Sequence, residues 1–364
     1  MRLGANEEGR PSAPMTGSGR NGGGRAAGSL TRREWLTSAV MVGAAGSLPA
    51  APAVDDAGRL RFLAFADLHY APGVYTHDDR AWLERILARA ERKNASFVIH
   101  AGDFVHDPVK CADFVRFYND FRIPTYHTLG NHDTEGCSVA ETLAAYRLEK
   151  GHYFFDRGGF RIVVLDTNYF RKDGKFVHFE GGNYREHKGL NWTVSEEQYA
   201  WAEQVIGTSP HPCVVFMHQS CEREHGGMPD WARMRGLFRW INRHKGPKVR
   251  LVVNGHHHTD GFRIIDGIPY LDLNSANYKY YAQSHRLYGT DYHKTHTGAG
   301  HVIAWEDPVS AVITIGSDGY LKVEGQKSDF FRGVSPEKAG FPQRDRPVTP
   351  NIQSLEMTLN YGVS

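Results

Sequence analysis

Five short apolar runs in this chain each break off into residues that bind cations or protons, and this recurrence limits its possible architectures more than any other feature. The runs are Leu63 to Ala66, Phe97 to Ala101, Tyr126 to Leu129, Val214 to Met217 and Val249 to Val253. The polar groups that follow them are Asp67-Leu68-His69, Gly102-Asp103, Gly130-Asn131-His132-Asp133, His218 and Gly255-His256-His257-His258. Short apolar runs suit buried strands, and in α/β sheets the carboxyl ends of neighbouring strands face a shared crevice. A lone histidine after a strand is ordinarily a hydrogen-bonded structural residue; the repetition of the pattern is what predicts convergence on one crevice. Alternate residues of an extended strand end point the same way, so Asp67 with His69, and His256 with His258, are each expected to reach one pocket. Gly102, Gly130 and Gly255 stand directly before these residues, where a missing side chain permits close approach.

The rest of the chain from Arg59 onward alternates strand and helix patterns, which points to a layered α/β or α+β domain over residues 54–334. Strands are expected at 60–66, 96–101, 124–129, 152–156, 160–166, 213–217, 249–253, 262–265, 269–273, 301–305 and 310–315. Amphipathic helices are expected at 79–93, 111–121, 138–149, 196–206 and 231–244, with Ser195 capping the fourth. Residues 168–194, rich in Gly, Asn and charge, read as a long loop of the kind that carries function. From Ser335 onward Pro336, Pro342, Pro347 and Pro350 predict an irregular extension over 335–364.

Residues 1–53 read differently. The first thirty or so have almost nothing to bury and are expected to be disordered. Arg32-Arg33-Glu34-Trp35-Leu36, the apolar run from Ala39 to Leu48 and Ala51-Pro52-Ala53 then form an export signal. Its arginine pair resembles the twin-arginine motif, implying passage of a folded protein through the Tat machinery to the periplasm or beyond. The run is shorter than the roughly 20 residues a membrane span needs, so no permanent anchor is expected. Up to Ala53 there are six arginines against three glutamates, and removing that surplus from a net charge of +2 leaves the remainder near −1. Such a balance predicts no stable nucleic-acid partner. The four cysteines, Cys111, Cys137, Cys213 and Cys221, are too few and scattered for a disulfide scaffold or a zinc ribbon.

Taken in order, the polar blocks resemble the signature of the calcineurin-like metallophosphoesterase superfamily, D-x-H, G-D, G-N-H-[DE], H and G-H-x-H, which is met at every position from Asp67 to His258. The resemblance implies a four-layer sandwich, two mixed β-sheets packed face to face and flanked by helices, with the site at one edge. It also implies that Asp67, His69, Asp103 and His258 hold one metal ion, that Asp103, Asn131, His218 and His256 hold a second, and that Asp103 bridges them. Ligand chemistry supports a carboxylate at the centre, because a carboxylate can span two cations and a neutral imidazole cannot. Nitrogen and oxygen donors without thiolate favour manganese, iron or zinc.

Such an enzyme hydrolyses phosphate esters with hydroxide held between the two cations. His132, left without a metal in this assignment, is expected over the phosphate, with Asp133 orienting its other nitrogen. His106 and Asp107 follow the second block and are candidates to back the ligands or to touch substrate. Phosphodiesters or monoesters of small molecules or nucleotides are the expected substrates. The aromatic loop residues Phe176, Phe179, Tyr184 and Trp192 are suited to stack a base, and their segment resembles the corresponding loop of enzymes that cleave ADP-ribose and related diphosphates, or of cyclic-nucleotide phosphodiesterases, which implies a nucleotide-diphosphate pyrophosphatase as the alternative. Tyr278, Tyr280, Tyr281 and His285 are further candidates to line the cleft. A different class, an exported metal-binding protein without catalysis, would need neither Asn131 as ligand nor a metal-free His132.

Overall fold

The computed structural model describes residues 54–75, 80–183, 192–223, 227–281, 287–341 and 347–361. The leader and export signal expected over residues 1–53, and the cleft candidates Tyr184 and His285, lie outside them.

Numbered along the chain, strands β1 (Leu60–Phe65), β2 (Val98–His100) and β3 (Thr125–His127) pair in parallel. On the far side of β1 the first sheet continues antiparallel through β14 (Ala311–Ile315), β15 (Tyr320–Glu324) and β16 (Leu355–Thr358). The second sheet has the order β10 (Gly261–Ile265), β11 (Ile268–Asp272), β9 (Val249–Asn254), β8 (Cys213–Met217), β5 (Phe160–Leu165) and β4 (Tyr153–Arg157). Its centre, from β11 through β9 and β8 to β5, is parallel, and its two edges are antiparallel.

Alternation along the parallel strands shows how the layers stack. In β5, Ile162 and Val164 join the apolar cluster between the sheets, whereas Val163 and Leu165 join a second cluster under helices α4 (Glu196–Gly207) and α5 (Trp231–His244). Val214 and Phe216 of β8 likewise face inward, where the Phe216 ring meets Phe62 of β1 edge-on at 6.0 Å. Both faces are therefore covered, which is why these strands read as continuous apolar runs rather than as alternating ones. Helices α1 (Ala81–Arg92) and α2 (Ala112–Asn119) cover the first sheet with Trp82, Leu83, Ile86, Leu87, Phe114, Val115 and Tyr118. Full burial of each large apolar side chain contributes roughly 1.5–3 kcal/mol. The four-layer arrangement of two mixed sheets flanked by helices is the fold expected from the sequence.

Three local expectations are corrected. Residues 168–194 are not a plain loop: β6 (Tyr169–Lys172) and β7 (Lys175–His178) form a hairpin there. The extension from Ser335 is not wholly irregular, because β16 lies beyond the prolines and adds an edge strand to the first sheet. Strand β12 (Tyr278–Tyr280), paired with β13 (Val302–Ala304), and the short helix α6 (Thr290–Thr295) also have no counterpart in the sequence reading. Helix α3 (Val139–Ala145) starts from a reciprocal cap between Ser138 and Glu141, and Ser195 caps α4 by accepting from the Gln198 N–H at 3.2 Å. The four cysteines are free, Cys213 and Cys221 buried and Cys111 and Cys137 half-buried. Among the described residues, no helix is long and apolar enough to cross a membrane.

Candidate metal centre

The carboxyl ends of β1, β2 and β3 in one sheet and of β8 and β9 in the other open at the same edge of the sandwich. Two contacts join the sheets there: His218 Nδ1 donates to the Ala101 carbonyl at 2.7 Å, and the His256 N–H donates to Asp67 Oδ2 at 2.9 Å. The polar blocks lie just past the strands, and their backbone is not extended. Asp67, His69, Asp103, His256 and His258 all have φ between 49° and 72°, the left-handed region. Each such non-glycine residue costs about 1–2 kcal/mol. The turns are held regardless, since Ser275 Oγ donates to the Asp67 carbonyl at 2.7 Å and Asn277 Nδ2 to that of Leu68 at 3.0 Å. The pairs Asp67/His69 and His256/His258 thus converge through left-handed turns, not through the pleat of an extended strand.

Among the described residues three groups of potential donors come together; His69, His106 and His132 form one, and the other two fall within the predicted sets. Of those two, Asp67, His69 and His258 form the first, and Asp103, His218 and His256 the second, with the donor atoms of each group within 4.8 Å of one another. His69 Nε2 lies 3.0 Å from His258 Nε2 and 3.8 Å from Asp67 Oδ1, and His258 Nε2 lies 3.3 Å from that same oxygen. In the second group His218 Nε2 is 3.1 Å from Asp103 Oδ2 and 3.3 Å from His256 Nδ1. Asp103 Oδ2 is also 3.6 Å from His69 Nε2, so one carboxylate faces both groups. Asn131 adjoins them: its amide oxygen accepts from Gln219 Nε2 at 3.3 Å, and the next N–H, of His132, donates to Asp103 Oδ1 at 2.8 Å. His257 enters neither group.

The residues present fit divalent cations. His218 and His258 commit their Nδ1 protons to the Ala101 and Tyr278 carbonyls, and His69 Nδ1 faces His106 Nε2 at 3.1 Å. Each Nε2 is thereby turned inward toward buried carboxylates, where a bound cation can stand in place of a proton. Burial holds His69 and His256 well below the usual imidazole range, so both remain neutral electron-pair donors. Burial also works against protonation of His218, but the Asp103 carboxylate pushes it up to about 9, a pairing that a cation would replace.

The glycines before the ligands serve the ligands themselves. A Cβ on Gly102 would run into the His218 ring, one on Gly130 into Asp103, and one on Gly255 would lie 2.6 Å from Asp67 Oδ2. Gly102 also has φ +94°. Gly102→Ala is accordingly expected to displace His218 and to lower the metal bound per chain, measured by elemental analysis of the purified protein.

His132 is where the sequence reading needs correction. It begins a 3₁₀ turn, His132–Thr134, and side chains three apart eclipse in such a turn. The partner of His132 Nδ1 is therefore Glu135, at 2.7 Å, and not Asp133. Asp133 turns inward instead, where its carboxylate accepts the N–H groups of Asp103, Phe104, Val105 and Gly130 at 2.8–3.1 Å and the Tyr146 hydroxyl at 2.6 Å. Burial opposes protonation of His132, yet Asp103 and Glu135 outweigh it and raise its pKa. A cleft of about 580 Å³ opens beside it, lined by Tyr75, His106, Asp107, Lys110, Glu135 and Tyr280.

Of the other candidates, Trp192 reaches the site, its ring 6.0 Å from that of His256, while Phe179 is buried beneath it at 5.1 Å. Phe176 packs under the Arg171 guanidinium at 4.5 Å. Tyr281 stacks on Phe341 at 3.9 Å, away from the cleft lining. Asp107 caps the turn before α2 through the Val109 and Lys110 N–H groups and pairs with the Lys110 ammonium at 2.7 Å.

The sequence model of the calcineurin-like phosphoesterases matches residues 60–260, more than half of the chain and the whole span of this centre. The chain belongs to that family. It is accordingly an enzyme, a metal-dependent phosphoric ester hydrolase. A dimetal phosphatase from Danio rerio is 15% identical over 82% of this chain and 99% of that one, with a TM-score of 0.52, and shares the phosphoesterase fold. PhoD is 13% identical over 85% of this chain and 70% of that one, with a TM-score of 0.42. No curated protein sequence matches the chain.

Proposed function

We propose that the chain hydrolyses phosphate esters of small molecules or nucleotides with a pair of divalent cations, one held by Asp67, His69, Asp103 and His258, the other by Asp103, Asn131, His218 and His256. The observation that carries this reading is the position of Asp103, whose Oδ2 lies 3.6 Å from His69 Nε2 and 3.1 Å from His218 Nε2. When bound, such ions polarise phosphoryl oxygens and make hydroxide available near neutral pH.

The chain's own residues supply the rest. Glu135 keeps the Nδ1 proton of His132 and so leaves Nε2 for the cleft. There it stabilises phosphate charge and passes a proton to the leaving oxygen as the P–O bond breaks. His132→Ala should lower kcat by about 10²–10⁴ for alkyl esters, and by less for nitrophenyl esters, whose leaving group needs no proton, while metal content stays full. Unchanged turnover on alkyl esters at full metal content would refute the role.

The reading as a whole is tested by loading residues 54–364 with manganese, iron or zinc and screening mono-, di- and pyrophosphate esters. Hydrolysis of p-nitrophenyl phosphate or its bis ester supports it; tight metal binding with no hydrolysis of any ester favours storage or sensing instead. Trp192 beside His256 supports a second reading, cleavage of nucleotide diphosphates with a base stacked on the indole, and turnover of ADP-ribose in the same screen would favour it. Export through the Tat machinery is part of the proposal and rests on the Arg32-Arg33 leader alone.

A further inference from the structure

We propose that His106 is a positioning residue for the metal centre, taking the Nδ1 proton of His69 on its Nε2 and so fixing the tautomer that leaves His69 Nε2 open to a cation. This rests on the reading of His69 as a metal ligand.

Two of the other histidines solve the same problem with the main chain. His218 and His258 each give their outer proton to a carbonyl, of Ala101 and Tyr278. His69 is 1% exposed, and its Nδ1 meets a side chain, His106 Nε2 at 3.1 Å. On its other edge, Nε2 faces Asp103 Oδ2 at 3.6 Å and Asp67 Oδ1 at 3.8 Å. Two tautomers therefore compete. With no acceptor at Nδ1, the carboxylates draw the single proton to Nε2, the nitrogen the cation needs, and an incoming ion must first expel it. An acceptor at Nδ1 removes that cost and avoids a buried N–H without a partner.

His106 is itself held in place for this. Its Nδ1 lies 3.7 Å from Glu135 Oε2, the oxygen that takes the His132 proton at 2.7 Å. Its ring packs 5.4 Å from that of Tyr75. One carboxylate thus steadies both the histidine behind a ligand and the histidine over the cleft. Position 106 lies three residues past Asp103 in sequence, yet its ring stands behind a ligand contributed by a different strand.

The experiment measures ion affinity, not turnover. Metal-free full-length protein competes with a chromophoric chelator for zinc. His106→Leu should weaken one of two bound ions by about 10–100-fold and leave the other nearly as tight. His106→Gln, whose side-chain oxygen can accept the same proton, should recover most of that loss. Melting of the metal-free variants near the wild-type temperature shows that folding is intact. Wild-type affinity for both ions in His106→Leu overturns the proposal, as does a Gln variant no better than Leu. If the wild-type protein binds no zinc, manganese or iron, the proposed function fails and this inference with it; if it binds two ions and cleaves esters while His106→Leu binds them equally well, this inference fails alone.

Discussion

Asp103→Asn is expected to lower kcat/KM on every phosphate ester by about 10³-fold or more, and to do so without unfolding the protein. The substitution is isosteric, and Asn tolerates the left-handed backbone that position 103 adopts at φ 51°. Its oxygen must remain where Oδ1 accepts the His132 N–H at 2.8 Å, so the amide nitrogen takes the place of Oδ2. That puts an N–H₂ group in front of His69 Nε2 and His218 Nε2, where a carboxylate faced both ligand groups. A donor replaces an acceptor between two prospective cations, and a full negative charge that offset their repulsion disappears. Elemental analysis should find fewer ions per chain, while circular dichroism of the metal-free variant still shows a folded protein. Full metal content with wild-type turnover of p-nitrophenyl phosphate would remove the shared carboxylate from the argument.

Most of the framework was legible because its strands are buried on both faces. Cys-Val-Val-Phe-Met from 213 to 217 is β8 to the residue, and five runs of this kind mark the parallel strands β1, β2, β3, β8 and β9. The outer antiparallel side of the first sheet was harder, since there the neighbours decide. In β16 the sequence Leu-Glu-Met-Thr alternates, yet four prolines precede it and only pairing with β15 makes it a strand. The β6–β7 hairpin did carry a signal: Lys172 pairs with Lys175 across Asp173-Gly174, whose φ values of 50° and 75° match the primed turns that favour Asp-Gly. Charge on both flanks hid it. At the site, residue types and order identified which side chains meet, but the backbone that brings them together was not readable. Nothing in Asp-Leu-His announces two left-handed residues; the surrounding hydrogen bonds impose them. For the same reason the sequence points to Asp133 as the partner of His132, since adjacency is visible in sequence and the eclipsing of His132 by Glu135 in a 3₁₀ turn is not.

That difference makes Asp133→Asn the sharper test of the two carboxylates. In the native protein Asp133 Oδ1 accepts the Phe104 and Val105 N–H groups and the Tyr146 hydroxyl, and Oδ2 accepts the Asp103 and Gly130 N–H groups. All five are donors, and the residue is fully buried. An asparagine can present an acceptor to only one side. In either orientation its N–H₂ group confronts at least two donors at about the former hydrogen-bond distance, leaving them buried and unpaired at about 1–3 kcal/mol each. The loss is therefore expected to be about 3–5 kcal/mol, a drop of several degrees in the melting temperature, measured by calorimetry or circular dichroism on the metal-free protein. Because the Asp103 and Phe104 amides belong to the turn that carries the Asp103 carboxylate, and the Gly130 amide to the loop that carries Asn131, metal binding should weaken with stability, and alkyl and nitrophenyl esters should suffer alike. A residue that oriented His132 would behave in the opposite way: the variant would melt like the wild type and lose activity chiefly on esters whose leaving oxygen needs a proton.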